Sequence, residues 1–303
     1  MTPTVTCVGL AVQDFVFGLD SSFTVGQKNF ARSFTTVGGG PAANAAVTVT
    51  KLGGASSLVT RLGTDSVGDS IIRDLELYSV DVSRIRRIPG VSSPVSAVLV
   101  DEEGERTIVN HTPEILLDTT DTVTGVDLAG SHVVLTDLRW PAGARSAISE
   151  AQTLGVPSVV DFDLTSAGPF DDIVKTATHV IFSEPALLRL TRRSDIDGAL
   201  RTVGTATDAF VGVTLGSEGF RWMDREVVRS FPGYDIEVVN TLGAGDVFHG
   251  AFALGVAESR AIVDIVQWSS AAAALKCMGS GMRDDIPTRD AIETFLNTHQ
   301  ETQ

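Results

Sequence analysis

Short β-branched runs alternate with helical patterns along nearly the whole chain, and this rhythm restricts the fold more than any other feature. Runs at 5–10, 58–61, 132–136, 158–161, 180–182 and 210–214 read as buried strands. Helical patterns at 41–52, 67–78, 142–154, 185–191 and 195–203 lie between them, and two long ones follow at 245–256 and 262–277. Strands separated by helices are joined by right-handed crossovers, which predicts an α/β, Rossmann-like fold with a mostly parallel sheet flanked by helices. Ligands of such sheets sit at the carboxyl ends of the strands.

Two segments break the rhythm. Residues 15–36 show strand-like alternation around a turn at 18–22, and 95–110 read as a hairpin, with 95–100 and 106–109 flanking a turn at 101–104. Neither carries a helix. They are expected to meet in one small β-sheet covering the strand ends as a lid; an edge extension or a dimer contact would leave the same pattern. The division expected is 1–13, 37–92 and 112–303 as the α/β core and 14–36 and 93–111 as the β lid.

The stretch Asn-Thr-Leu-Gly-Ala-Gly-Asp-Val-Phe-His-Gly at 240–250 follows an apolar run and opens a helix. Gly243, Ala244 and Gly245 let backbone N–H groups approach a ligand, and a helix N-terminus adds partial positive charge, so the turn suits an anion such as phosphate. Asp246 would sit beside that anion. A carboxylate there repels phosphate but can take the proton of a hydroxyl attacking it; alternatively it merely stabilises its own helix. Two further glycine clusters lie at strand ends. Residues 37–44 (Val-Gly-Gly-Gly-Pro-Ala-Ala-Asn) lead into the first long helix, where Asn44 offers the donor and acceptor that a polyol needs. Residues 214–219 (Thr-Leu-Gly-Ser-Glu-Gly) form a turn into 220–223, and Gly216 and Gly219 leave space there for nucleotide phosphates.

The bulk numbers narrow the partners. The 303 residues are 43% hydrophobic and 20% charged, as in ordinary globular chains. A net charge of −15 argues against nucleic acid or an anionic membrane, so cations near an anion site carry more information than usual. No apolar run approaches the length of a bilayer span, and Thr2, Pro3 and Thr4 precede no basic leader, so the cytoplasm is the expected location. Cys7 and Cys277 read as buried small residues rather than a disulfide framework.

The clusters at 39–44, 214–219 and 240–246, in this order, resemble those of the ribokinase-like (PfkB) carbohydrate kinases over residues 9–287. The resemblance implies ATP-dependent transfer of a phosphoryl group to a sugar hydroxyl with Mg²⁺. It also implies a Rossmann-like core with a β lid, and a homodimer formed through that lid. By resemblance Asp246 is the base, and Gly243, Ala244 and Gly245 the anion hole. Asp14, Gly39, Gly40 and Asn44 bind the sugar. Thr214, Gly216 and Gly219 belong to the ATP phosphate region, while Ala274 and Gly279 (in 271–274 and 279–281) wall the adenine. One element departs from the pattern. Where many members carry Asn-x-x-Glu to order water around Mg²⁺, this chain has Ser183, Glu184, Pro185 and Ala186. No metal ligand is assigned from sequence.

Lys28, Asn110 and Arg139 are candidates to grip an anionic substituent on the sugar. The plain alternative is a solvated lysine and an arginine paired with Asp137. The motifs at 37–43, 137–140, 182–185, 245–250 and 274–277 together look like those of sulfofructose kinases of bacterial sulfoglycolysis. That resemblance gives the trio to a sulfonate and implies phosphorylation of the 1-hydroxyl of 6-deoxy-6-sulfofructose. A neutral ketohexose, another sugar or a sugar phosphate stands as the alternative substrate. Nucleosides fit less well, since alternation explains Phe15, Phe17, Phe30 and Phe34 as packing. A sugar- or nucleotide-binding regulator on the same scaffold is the non-enzyme reading. A dinucleotide oxidoreductase would need a glycine fingerprint that residues 9–14 lack.

Overall fold

The computed structural model describes residues 2–103, 105–117, 122–165, 168, 170–280 and 283–300. The chain opens with β1 (Thr4–Val8), β2 (Val12–Leu19), β3 (Ala31–Gly39), α1 (Pro41–Lys51), β4 (Ala55–Val59), β5 (Arg61–Gly63), α2 (Ser66–Leu77), β6 (Arg86–Ile88), β7 (Val95–Val100) and β8 (Arg106–His111). It continues with β9 (Val133–Asp137), α3 (Pro141–Leu154), β10 (Ser158–Phe162), α4 (Asp171–Thr176), β11 (His179–Ser183), α5 (Glu184–Thr191), α6 (Ile196–Gly204) and β12 (Phe210–Thr214). β13 (Phe220–Asp224), β14 (Val227–Phe231), α7 (Ala244–Ala257), α8 (Ile262–Cys277) and α9 (Arg289–Gln300) complete it.

The main sheet runs β14-β13-β12-β11-β10-β9-β1-β4, parallel from β12 to β4 and antiparallel at the β13–β14 edge. The parallel strands are buried almost throughout, as helices on both faces require. Their carboxyl ends therefore converge at one rim: Gly9 after β1, Asp137 on β9, Ser183 on β11 and Thr214 on β12. α7 is buried from Val247 to Gly255 because it packs against α1, α8 and strands beneath it. Contact with α1 is backbone-close: a Cβ on Gly250 would lie 2.7 Å from the Ala45 carbonyl oxygen. The alanines of α1 and the glycine of α7 thus bring the first turns of both helices side by side.

The second sheet has the order β3-β2-β7-β8, with β2–β7 parallel and the outer pairs antiparallel. The two segments without helices do meet in one small sheet. Register puts Asp14, Ser96 and Asn110 in one cross-strand row, hence on one face, while Phe15, Ala97 and Val109 form the next row on the opposite face. Phe34 stacks with Phe15 and packs on Phe17 on that outer face, and it remains 58% exposed.

Several boundaries differ from the sequence expectation. The strand expected at 58–61 is two strands: β4 ends at Val59, and Arg61 starts β5, which pairs with β6. The turn expected at 18–22 is a longer connection, 20–30, because β2 runs on to Leu19 and β3 starts only at Ala31. The polar C-terminal stretch hides α9, whose Ile292 and Phe295, three apart, are buried on the core. Gly104 and Gly281 lie outside the described residues. Cys7 and Cys277 are free thiols; Cys7 is buried as expected, whereas Cys277 is only partly buried. Among the described residues no helix is long and apolar enough to cross a membrane.

Candidate active site

The rim is built on Asp137. Its buried carboxylate accepts N–H bonds from Leu10 (2.8 Å), Ala42 (3.0 Å) and Arg139 (2.8 Å), so one side chain fixes the exits of β1 and β9 and the start of α1. Burial pushes its carboxyl upward in pKa, and those three N–H groups oppose the shift. Gly9 is small for this reason: a Cβ there would stand 2.2 Å from the Asp137 carboxylate.

Above this rim the first turns of α1 and α7 face each other. Gly243, in the left-handed conformation (φ 74°), caps α7, which places Ala244, Gly245 and Asp246 in its first turn. Asn44 Nδ2 donates to Asp246 Oδ2 at 2.7 Å, and Arg283 Nε donates to Asn44 Oδ1 at 2.9 Å. Arg283 is buried, donates also to the Gly39 carbonyl (3.1 Å), and pairs with Asp74 of α2. The chain Asp74–Arg283–Asn44–Asp246 therefore fixes Asp246 at the wall of a cavity of about 100 Å³ and leaves one of its oxygens without a hydrogen bond among the described residues. Asp14, Gly40, Asn44, Gly243, Asp246 and Lys276 are among its lining residues. Asp14 enters from the lid, and Gly39 leaves it room: a Cβ there would meet its carboxylate at 2.3 Å.

Burial raises the Asp246 pKa above the ordinary carboxylate value; the Asn44 hydrogen bond, His249 and Arg139 oppose it, and Asp163 adds to it. A base with a raised pKa accepts a proton more readily near neutrality. Asp14 is raised likewise, by burial first and by Asp246, against Ser96 and Arg283. Behind Asp246, His249 Nδ1 donates to the Gly245 carbonyl at 2.7 Å, since a carbonyl only accepts. Its Nε2 stands 3.5 Å from Asp161 Oδ1, too far for a good hydrogen bond. Burial, with Asp246, Asp137 and Asp163 nearby and His249 opposing, pushes Asp161 up to about 7.

Of the expected residues, Asp14, Gly40, Asn44, Gly243 and Asp246 line this cavity, while Gly39, Ala244 and Gly245 adjoin lining residues without lining it themselves. The structure does not bring Lys28, Asn110 and Arg139 together in it. Lys28 is exposed in 20–30, and Asn110 is exposed although it shares the inner row with Asp14. The Arg139 side chain pairs with Asp163 (2.8 Å), not with Asp137, which takes only its backbone N–H. Ser183 donates to the other oxygen of Asp163 (2.8 Å). Thr214, Gly216, Gly219, Ala274 and Gly279 stand outside the cavity. Thr214 lies beside Ser183 in register and donates to the Phe182 carbonyl (3.3 Å). Gly219 (φ 93°) makes the turn into β13, where a Cβ would lie 2.2 Å from the Phe231 carbonyl oxygen. Ala274 packs in the hydrophobic core, and a Cβ on Gly279 would meet Asp285.

Other participants were not assigned roles from sequence. They are Asp74, Arg283, Asp161, Asp163, His249 and Lys276, and also Arg106, which reaches from the lid to Asn240 Oδ1 (2.5 Å) and Thr241 Oγ1 (3.3 Å). The partners of Arg283 and Arg106 lie more than 130 residues away in sequence. His249 and Lys276 lie in the short motifs at 245–250 and 274–277.

Comparison with known proteins fits this geometry. Residues 2–289 match the model of the pfkB family carbohydrate kinases. A Bacillus subtilis ribokinase is 25% identical over 299 residues, covering 96% of this chain and 98% of that protein. A solved structure of a provisionally named ribokinase from Agrobacterium tumefaciens is 34% identical, covers 99% of both chains and superposes with a TM-score of 0.94. The Arabidopsis thaliana ribokinase solved with ribose and ATP is 24% identical, with a TM-score of 0.84 over 97% of this chain and 98% of that one, a likeness of fold. These comparisons carry a ribokinase-like reading and give no support to the sulfofructose kinase one.

Proposed function

The chain belongs to the pfkB family of carbohydrate kinases, and from that premise we propose that it transfers the γ-phosphoryl of ATP to a primary sugar hydroxyl with Asp246 as the base. The observation that carries this reading is the hydrogen-bonded chain from Asp74 through the buried Arg283 and through Asn44. It leaves one Asp246 oxygen unbonded at the N-terminus of α7. Asp14, Gly40 and Asn44 offer acceptors, donors and close backbone to a polyol. Gly243 and Gly245 would present N–H groups to the charge that develops on the phosphoryl oxygens, whereas the Ala244 N–H donates to the Thr241 carbonyl (3.2 Å) and would have to exchange that bond. ATP would lie along the rim by Thr214, Gly216 and Gly219, with Ala274 and Gly279 on its adenine side. Residues 14–36 and 93–111 would close over the sugar and exclude water, which would otherwise take the phosphoryl group.

Mg²⁺ fits if it arrives with the nucleotide. Among the described residues no three His, Cys, Asp or Glu side chains form a metal cage, and Mg²⁺ commonly keeps its water and is held by phosphates. Asp163, half-exposed and held by Ser183 and Arg139, is the carboxylate suited to its water shell. The bound ion would neutralise phosphate charge. The outer apolar face of the lid, with Phe15, Phe17 and Phe34, suits a homodimer through the lid. Its mass in solution tests that.

For the sugar, a neutral ribokinase-type substrate is the better-supported reading, since the cavity gathers hydroxyl-binding groups and Lys28 lies apart from it. One observation favours the anionic alternative: Asn110 shares the inner row with Asp14, on the face from which Arg106 reaches the 240–241 stretch. ADP release with Mg-ATP and ribose, fructose, fructose 6-phosphate or 6-deoxy-6-sulfofructose at equal concentration separates them. A preference for ribose or fructose supports the first. A strong preference for the sulfosugar reverses it and gives Lys28, Asn110 and Arg139 the anion.

A further inference from the structure

Lys276 sits one residue before the end of α8 and lines the same cavity as Gly243 and Asp246. It is only 2% exposed, and its Nζ has no hydrogen-bond partner among the described residues. Asp246, Asp285 and Cys277 are its acidic neighbours, with Arg106 as a like charge; burial dominates and holds the ammonium below the usual lysine range. Arg283, the other buried cation at this cavity, is already committed to Asp74, Asn44 and Gly39. A buried ammonium without a hydrogen-bond partner is costly to the folded state, so the unliganded protein carries a group it would be more stable without. A partner that arrives only with substrate resolves this. That partner is an oxyanion, because the N-terminus of α7, with Gly243 as its cap, lines the same cavity.

Resting on the kinase reading above, we propose that Lys276 Nζ pairs with the oxygens of the phosphoryl group while it transfers. The step balances without any further reagent. The sugar oxygen forms the new P–O bond, its proton goes to Asp246, and the bond between the γ-phosphorus and the bridging oxygen breaks with its electron pair leaving on ADP. Charge on the equatorial oxygens then lies between the α7 N-terminus and Lys276. An anionic substituent on the sugar has the same chemistry and is the competing source. Lys276 shares its wall of the cavity with Gly243 and Asp246, which favours the phosphoryl group.

The test compares Lys276→Met and Lys276→Arg with the unaltered protein. For each, kcat and KM are measured with a neutral and an anionic sugar, and melting temperature with and without inorganic phosphate. Lys276→Met is expected to lose about 100-fold or more in kcat with either sugar, the scale of losing one oxyanion donor, with sugar KM changed less than about threefold. It should also melt higher than the unaltered protein when unliganded and gain less from phosphate. Lys276→Arg should retain part of kcat. A Lys276→Met kcat within about threefold of the original overturns the proposal. An effect confined to KM for the anionic sugar moves Lys276 to the substrate and also overturns it. A lower unliganded melting temperature with an unchanged phosphate response makes the lysine structural. If the unaltered protein releases no ADP with any sugar, the kinase reading fails separately, and the phosphate response still decides whether Lys276 builds an anion site.

Discussion

At the rim of the main sheet, Asp137 and Arg283 are buried and each is bound several times over. On the lid, Asp14 apart, the candidates Lys28 and Asn110 stand in solvent. Asp137 accepts three backbone N–H bonds, and Arg283 joins three segments of the chain. Lys28 and Asn110, by contrast, are exposed, and β8 is exposed from Thr107 to His111. The contrast separates two jobs. Proton transfer needs a carboxylate held within a fraction of an ångström, which only interlocked buried groups provide. Choice among sugars can rest on exposed residues of a closing sheet, which change without unfolding the core.

Substitutions can break that comparison, the largest effect first. Gly9→Ala forces a Cβ to 2.2 Å from a carboxylate that cannot swing away, so a loss of about 3 kcal/mol or more is expected by denaturant titration. A change below about 0.5 kcal/mol would mean the rim is less rigid than described. Arg283→Met should lower kcat roughly 10- to 100-fold through the loosened Asn44 and Asp246, with stability lost as well. Unchanged kcat would disconnect Arg283 from the chemistry.

The pH dependence sharpens the same point. Asp161 has its pKa raised in the folded state, so the fold binds its proton more tightly than the unfolded chain does. Its contribution is present below the unfolded value of 3.8 and is lost as pH rises through about 7. Asp246 shifts in the same direction. Melting temperature should therefore fall between about pH 4 and 7, and Asp161→Asn should flatten part of that slope, on the order of 2–4 kcal/mol. An unaltered slope would remove Asp161 from it. The smallest effect is expected on the lid. Lys28→Ala and Asn110→Ala should each change stability by less than about 0.5 kcal/mol and leave turnover of a neutral sugar nearly intact. A stability loss from either would show that the lid holds hidden structure.

The same division explains what could be read from sequence. Strand runs at 158–161 and 210–214 and the glycine turn before Asp246 are local patterns, and each appears where periodicity and turn chemistry put it. β14, the β5–β6 pair and α9 were missed because their signals are short or masked by polar residues whose few apolar positions matter only in tertiary contact. Arg139 shows the limit for sites. Its near neighbour Asp137 is the obvious partner, yet that carboxylate is consumed by backbone N–H groups and the guanidinium turns to Asp163. Arg283 meets Asn44 across 239 residues, and the burial of Lys276 follows from how α8 packs; no local pattern carries either fact.

The most direct test is Asp246→Asn, with ADP release and sugar binding measured on the same preparation. The asparagine can keep a bond to Asn44 after an amide flip, but it cannot take a proton. A fall in kcat of about 1,000-fold with sugar affinity within about threefold of the original is the expected result. Near-normal turnover would contradict the assignment of Asp246 as the base and leave the hydrogen-bonded chain from Asp74 as architecture alone.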